Sequence, residues 1–91
     1  MYKKLEVVVD KKTCSIILYN NELKFIVVPY RNRDVVVTID NLYRQIIEGI
    51  EIYPDGVVSR AVKVLRRIKS NMPDVYESNK LVIDTILEHY K

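Results

Sequence analysis

With one cysteine, Cys14, this chain cannot close an internal disulfide, and a reducing, intracellular setting is expected. One histidine, His89, and that single cysteine are too few to build a zinc-type cluster. The only glycines, Gly49 and Gly56, belong to no phosphate-loop motif. No run approaches the ~20 apolar residues of a membrane span, and no charged-then-apolar leader opens the chain. These absences leave a cytoplasmic protein without membrane attachment as the expectation. Tryptophan is missing, and phenylalanine, alanine and glutamine each occur once.

What is abundant is β-branched. Isoleucine and valine make 25 of the 91 residues, a composition that leans toward a thermophile, although six asparagines lean the other way. A chain of this length forms one domain, spanning 1–91, with a single core of modest stability.

The first forty residues alternate with period two. Leu5, Val7 and Val9 face one way, and Lys4, Glu6 and Val8 the other. A turn at Asp10-Lys11-Lys12-Thr13 is expected to set Val9 opposite Cys14. The runs "CSIILY" and "LKFIVV" flank Asn20-Asn21, and asparagine tolerates positive φ, so a two-residue type I′ turn is predicted there. In that register Cys14, Ile16, Leu18, Leu23, Phe25 and Val27 share one apolar face, and Ile26 goes to the other. Pro29 is expected to end the third strand and "PYRNRD" to form a loop, after which Val35, Val37 and Ile39 rejoin the apolar face.

From Thr38 the period becomes helical. Thr38 or Asp40 can cap a first helix with Leu42, Ile46 and Ile50 as its stripe and Gly49 as a stop signal. After the turn signal "YPDG" a second helix is predicted over about 57–70. A third follows Asp74, whose spacing to Glu77 fits a capping box. The predicted fold class is α+β: a four-stranded antiparallel β-meander over about residues 3–39, followed by three α-helices packed on one face of the sheet.

The second helix carries the most specific signal. Its stretch "SRAVKVLRRIKS" holds five cations and no carboxylate. At ~100° per residue, Arg60, Lys63, Arg66 and Arg67 cluster opposite Ala61, Leu65 and Ile68, with Lys69 at the boundary. Burial of the apolar stripe then turns a row of donors outward, suited to a phosphate backbone. Lys11 and Lys12 at a hairpin tip, and Arg31 and Arg33 beside Tyr30, are further cationic candidates. The competing expectation is that Asp74, Glu77, Asp84 and Glu88 of the third helix pair with these cations. In that helix only Lys80 and Lys91 offset the acidic residues.

The connection of about seven residues between the first two helices is longer than the 3–4-residue turn of a helix-turn-helix. His89 belongs at an exposed helix end, and Cys14, on the core face, behaves as a small hydrophobe. Carboxylates at Asp40, Glu48, Glu51, Asp55, Asp84 and Glu88 could in principle cooperate in a metal-dependent enzyme, but no signature marks them.

The leading expectation is therefore a non-catalytic, homodimeric binding protein without cofactor or metal, contacting DNA or RNA phosphates through the basic helix. The alternative is an interaction or assembly module. It would meet a protein partner, or a second copy in a homodimer, through Val8, Ile17, Tyr19, Ile26 and Val36 on the outer sheet face or through the edge of strand 35–39.

Overall fold

The computed structural model describes residues 1–90; Lys91 lies outside them. Four strands, β1 (Tyr2–Val9), β2 (Lys12–Tyr19), β3 (Glu22–Tyr30) and β4 (Arg33–Thr38), form one antiparallel sheet in the order β1-β2-β3-β4. Four helices follow: α1 (Ile39–Glu48), α2 (Asp55–Asn71), α3 (Pro73–Ser78) and α4 (Lys80–His89). The architecture is α+β, with an open meander and the helices on its apolar face.

All three strand connections are two-residue turns with both residues left-handed: Asp10-Lys11, Asn20-Asn21 and Arg31-Asn32, with φ between 50° and 69°. Such turns match the twist of the paired strands. Asn20-Asn21 is the turn expected from sequence, and Tyr19 indeed faces Glu22.

The other two connections are tighter than the sequence reading. Because the β1–β2 turn is only Asp10-Lys11, Val7 rather than Val9 sits opposite Cys14. The slip is by two residues, so Val7 and Val9 keep their buried face. Pro29 does not end β3; it pairs with Asp34, and only Arg31-Asn32 remain as loop. Pro29 lies past the last β2–β3 pair, Ser15–Val27, where a missing N–H interrupts no ladder on that side.

A bulge corrects the face assignment in β3. Leu18 pairs with Leu23, but Ile17 pairs with Phe25, which leaves Lys24 as the extra residue. Beyond it every side chain changes face. Ile26 and Val28 are fully buried, while Phe25 and Val27 move to the outer side. Ile26, expected on the outer face as an interface residue, is instead part of the core.

The core lies between the sheet and α2. Val7, Cys14, Ile16, Leu18, Ile26, Val28 and Val37 meet Val57, Ala61, Val62, Val64, Leu65 and Ile68, with Ile83 and Ile86 of α4 and Leu42 of α1 closing it. Cutting one of its isoleucine or leucine side chains to alanine costs about 2–5 kcal/mol.

Thr38 caps α1, its Oγ1 accepting from Asn41 N at 3.1 Å, and Gly49 ends it at φ 75°. Ile50 therefore lies beyond the helix and is partly exposed. The single glutamine orders the next loop. Gln45 Oε1 accepts from Tyr53 N (2.8 Å) and Ile52 N (3.2 Å), and its Nε2 donates to Tyr53 O (2.9 Å). The Tyr53 hydroxyl then accepts from Thr38 N at 3.0 Å, covering one end of the β4 edge. Of the alternate residues on that edge, Asp34 and Val36 remain.

Helix α2 begins at Asp55, behind Pro54, so Asp55-Gly56 forms its first turn rather than part of a loop. The segment expected as a third helix is divided. Pro73 opens α3, and no Asp74 capping box forms, because Met72 precedes the helix without a side-chain cap. Asn79, only 7% exposed, separates α3 from α4. Its Oδ1 accepts from Leu23 N (2.8 Å), and its Nδ2 donates to Asn21 O (2.9 Å) and Val75 O (2.8 Å). That residue ties the β2–β3 turn to the last two helices.

Candidate nucleic-acid interface

In an antiparallel meander the β1–β2 and β3–β4 turns lie at the same end of the sheet. Helix α2 carries its cationic side past that end. Lys12, Arg31, Arg33 and Arg60 line one cleft there, and Lys63, Arg66 and Arg67 line a second with Val9, Asp10 and Ser70. Residues 10–12, 31–34 and 55–70 hold nine of the 15 Lys and Arg residues but three of the 12 Asp and Glu residues. The formal charge of these segments is thus +6, against −3 for the rest of the chain.

The cations differ in how they are held. Arg60 Nη1 donates to Pro29 O at 2.8 Å, fastening α2 to the β3–β4 turn. Its Nε lies 3.7 Å from Asp10 Oδ2, at ion-pair range, and is buried with no hydrogen-bond partner among the described residues. Lys63 Nζ donates to both Asp10 oxygens, at 2.9 and 3.1 Å. That hydrogen bond, with the positive charges of Lys63 and Arg60 beside it, holds the Asp10 carboxyl below its ordinary value against the opposing effect of desolvation. Arg66 and Arg67 are exposed, and no ion pair joins either to a carboxylate of the described residues.

Lys69 is set apart. Its ammonium donates to Asp84 Oδ1 at 3.0 Å and sits 5.5 Å from the Tyr76 ring centre. Tyr76 Oη donates to both Asp84 oxygens, at 2.7 and 2.8 Å. Those two donors, Tyr76 foremost, lower the Asp84 pKa, and the bond to Asp84 raises that of Lys69. The expected pairing of the basic helix with the acidic end of the chain is therefore real at Lys69, whereas Arg60 and Lys63 use Asp10 from the far side of the sequence.

The β3–β4 turn is braced against α2 by more than Arg60. A side chain at Gly56 would put its Cβ 2.9 Å from Tyr30 Cε1, so the absence of one lets the ring lie close to the first turn of the helix. The Arg31 guanidinium sits 5.3 Å from the same ring's centre, a cation–π distance. No sequence pattern singles out Asp10, Pro29 or Gly56 for this site. Their roles depend on contacts 31 or 53 residues apart, in the case of Pro29–Arg60 and Asp10–Lys63, which no local pattern encodes.

On the opposite side of the sheet, Val8 and Val36 are each 54% exposed and Tyr19 is 40% exposed. Ile17 and the newly outward Phe25 are neighbours across β2 and β3, as are Val27 and Val36 across β3 and β4. Cys14 is fully buried, and that burial pushes its thiol pKa up. Among the described residues no group of three or more His, Cys, Asp or Glu could hold a metal ion, and no helix is long and apolar enough to cross a membrane. Comparison with protein-family models, curated proteins and solved structures finds no match to this chain.

Proposed function

We propose that this protein binds nucleic acid, without sequence readout, through the cationic end formed by the β1–β2 turn, the β3–β4 turn and α2. The observation that carries the reading is the convergence of Lys12, Arg31 and Arg33 with Arg60, and of Asp10 with Lys63, Arg66 and Arg67, on one rim. Arginine forks suit phosphate oxygens, and a rigid rim limits the entropy lost on binding. Asp10 marks the chemistry on a small scale, since Lys63 already hydrogen-bonds both oxygens of an anionic group.

Backbone strain favours the same end. Non-glycine residues other than Asn and Asp rarely take left-handed φ, yet Lys11 (63°) and Arg31 (50°) do so here. Uncommon conformations of this kind cluster where function constrains the chain.

The test is fluorescence anisotropy with duplex DNA and with RNA across 50–200 mM salt. On duplex DNA, log K is expected to fall by about 0.9 per neutralised phosphate for each tenfold rise in salt. Replacing Arg31, Arg33, Arg66 and Arg67 together by serine should flatten that slope and abolish retention at low salt. Unchanged retention in the fourfold variant removes the proposal.

A second reading rests on the uncovered sheet face, where Val8, Tyr19 and Val36 stand exposed around Ile17, Phe25 and Val27. It makes that face the contact of a homodimer. Ile17→Lys should then shift the sedimentation coefficient from dimer to monomer with little dependence on salt.

A further inference from the structure

We propose that the cleft between the β3–β4 turn and α2 is a discrete phosphate site, with Arg31, Arg33, Arg60 and Lys12 as its donors. Four cations reach this concavity from three separate parts of the chain, and Asp34 is the one carboxylate in its wall. A convex row of surface charges lets an anion slide; a concave cleft presents donors from several sides at once.

Two of the four donors are held before any ligand arrives. Arg60 is fixed by Pro29 O at 2.8 Å, Arg31 rests on the Tyr30 ring, and that ring is seated over Gly56. Arg60 Nε is buried without a hydrogen-bond partner among the described residues, 3.7 Å from Asp10 Oδ2. The ligand class is a phosphate group, either a backbone diester or a terminal or free monoester. The site deepens the nucleic-acid reading, but its affinity for phosphate itself does not depend on that reading.

The probe is sodium phosphate, added to isotope-labelled protein at constant ionic strength set with sodium chloride. The proposal expects saturable shifts at the Arg60 Nε–H and at the amides of residues 31–33, half-complete at a concentration on the order of 1–10 mM. Arg31→Ser with Arg33→Ser should weaken this at least tenfold. Asp34→Asn, which removes the carboxylate of the cleft wall, should tighten it severalfold and guards against a misfolded double variant. Shifts that do not saturate, or that neither variant changes, overturn the site.

Two oligonucleotide arms then identify the source. A 5′-phosphorylated strand binding severalfold tighter than its 5′-hydroxyl form assigns the cleft to a terminal phosphate. Equal binding of the two, with competition by free phosphate, assigns it to the backbone. Salt-sensitive duplex binding without a phosphate site defeats this inference and spares the broader reading. Saturable phosphate binding without nucleic-acid retention does the reverse.

Discussion

The two ends of the sheet are built from the same backbone device and put to different uses. At one end the Asn20-Asn21 turn is sewn down by Asn79, a buried neutral side chain with all of its partners supplied by backbone. At the other, Asp10-Lys11 and Arg31-Asn32 adopt the same left-handed turns but carry charged side chains toward α2 and solvent. Asparagine takes this conformation readily; lysine and arginine do not. The difference teaches that turn geometry alone does not choose the residue. Where only closure matters the favourable residue is present, and where cations stand instead the chain tolerates a local cost.

The comparison breaks most directly at the sewn end. Asn79→Ala strands Leu23 N–H in the interior and frees two carbonyls, so stability should fall by about 2–3 kcal/mol. A lower urea midpoint at unchanged slope is the expected result. The equivalent change at the charged end, Arg33→Ser, should move the midpoint by no more than about 0.5 kcal/mol. Equal effects at the two ends would erase the distinction.

A smaller effect sharpens it. Lys11→Gly should raise stability by about 0.5–1 kcal/mol, because relief of left-handed strain outweighs the added freedom of the unfolded chain. Asn21→Gly should leave the midpoint nearly where it was. Thermal melts of the two variants beside the parent decide this.

The smallest effect is in pH. The Asp10 carboxyl is held below its ordinary value by Lys63 and Arg60. Its contribution is thus fully present above the unfolded value of about 3.9 and is lost as pH falls through the lower folded value. Asp84, lowered by Tyr76 and Lys69, acts in the same direction. Acid titrations should therefore show a loss of stability below about pH 4 that is reduced in Asp10→Asn. The Asn79 clamp has nothing to titrate, and Asn79→Ala should leave the shape of the pH profile unchanged.

The sequence made much of this legible, for reasons that can be named. Alternation in β1 and β2 and the Asn-Asn pair determined which faces of those strands are inward and how the middle hairpin closes. Helical spacing separated Leu65 and Ile68 from Arg66 and Arg67. Lys11 and Arg31 hid the two-residue length of the other two turns, because neither residue advertises a left-handed conformation. The bulge at Lys24 has no sequence marker, and it alone carried Ile26 inward and Phe25 outward. The helix cations were readable as a row, but Asp10, which holds two of them, lies 53 residues from Lys63. That the basic turns share an end with α2 emerges only once the sheet is closed and the helix laid across it.

The seat of Cys14 has a practical consequence. Its sulfur, with no exposed surface on the core side of β2, can meet a thiol reagent only when the core between sheet and helices opens. Because it is the chain's one thiol, the pace of its alkylation in plain buffer would time the opening of that core, with no denaturant to introduce.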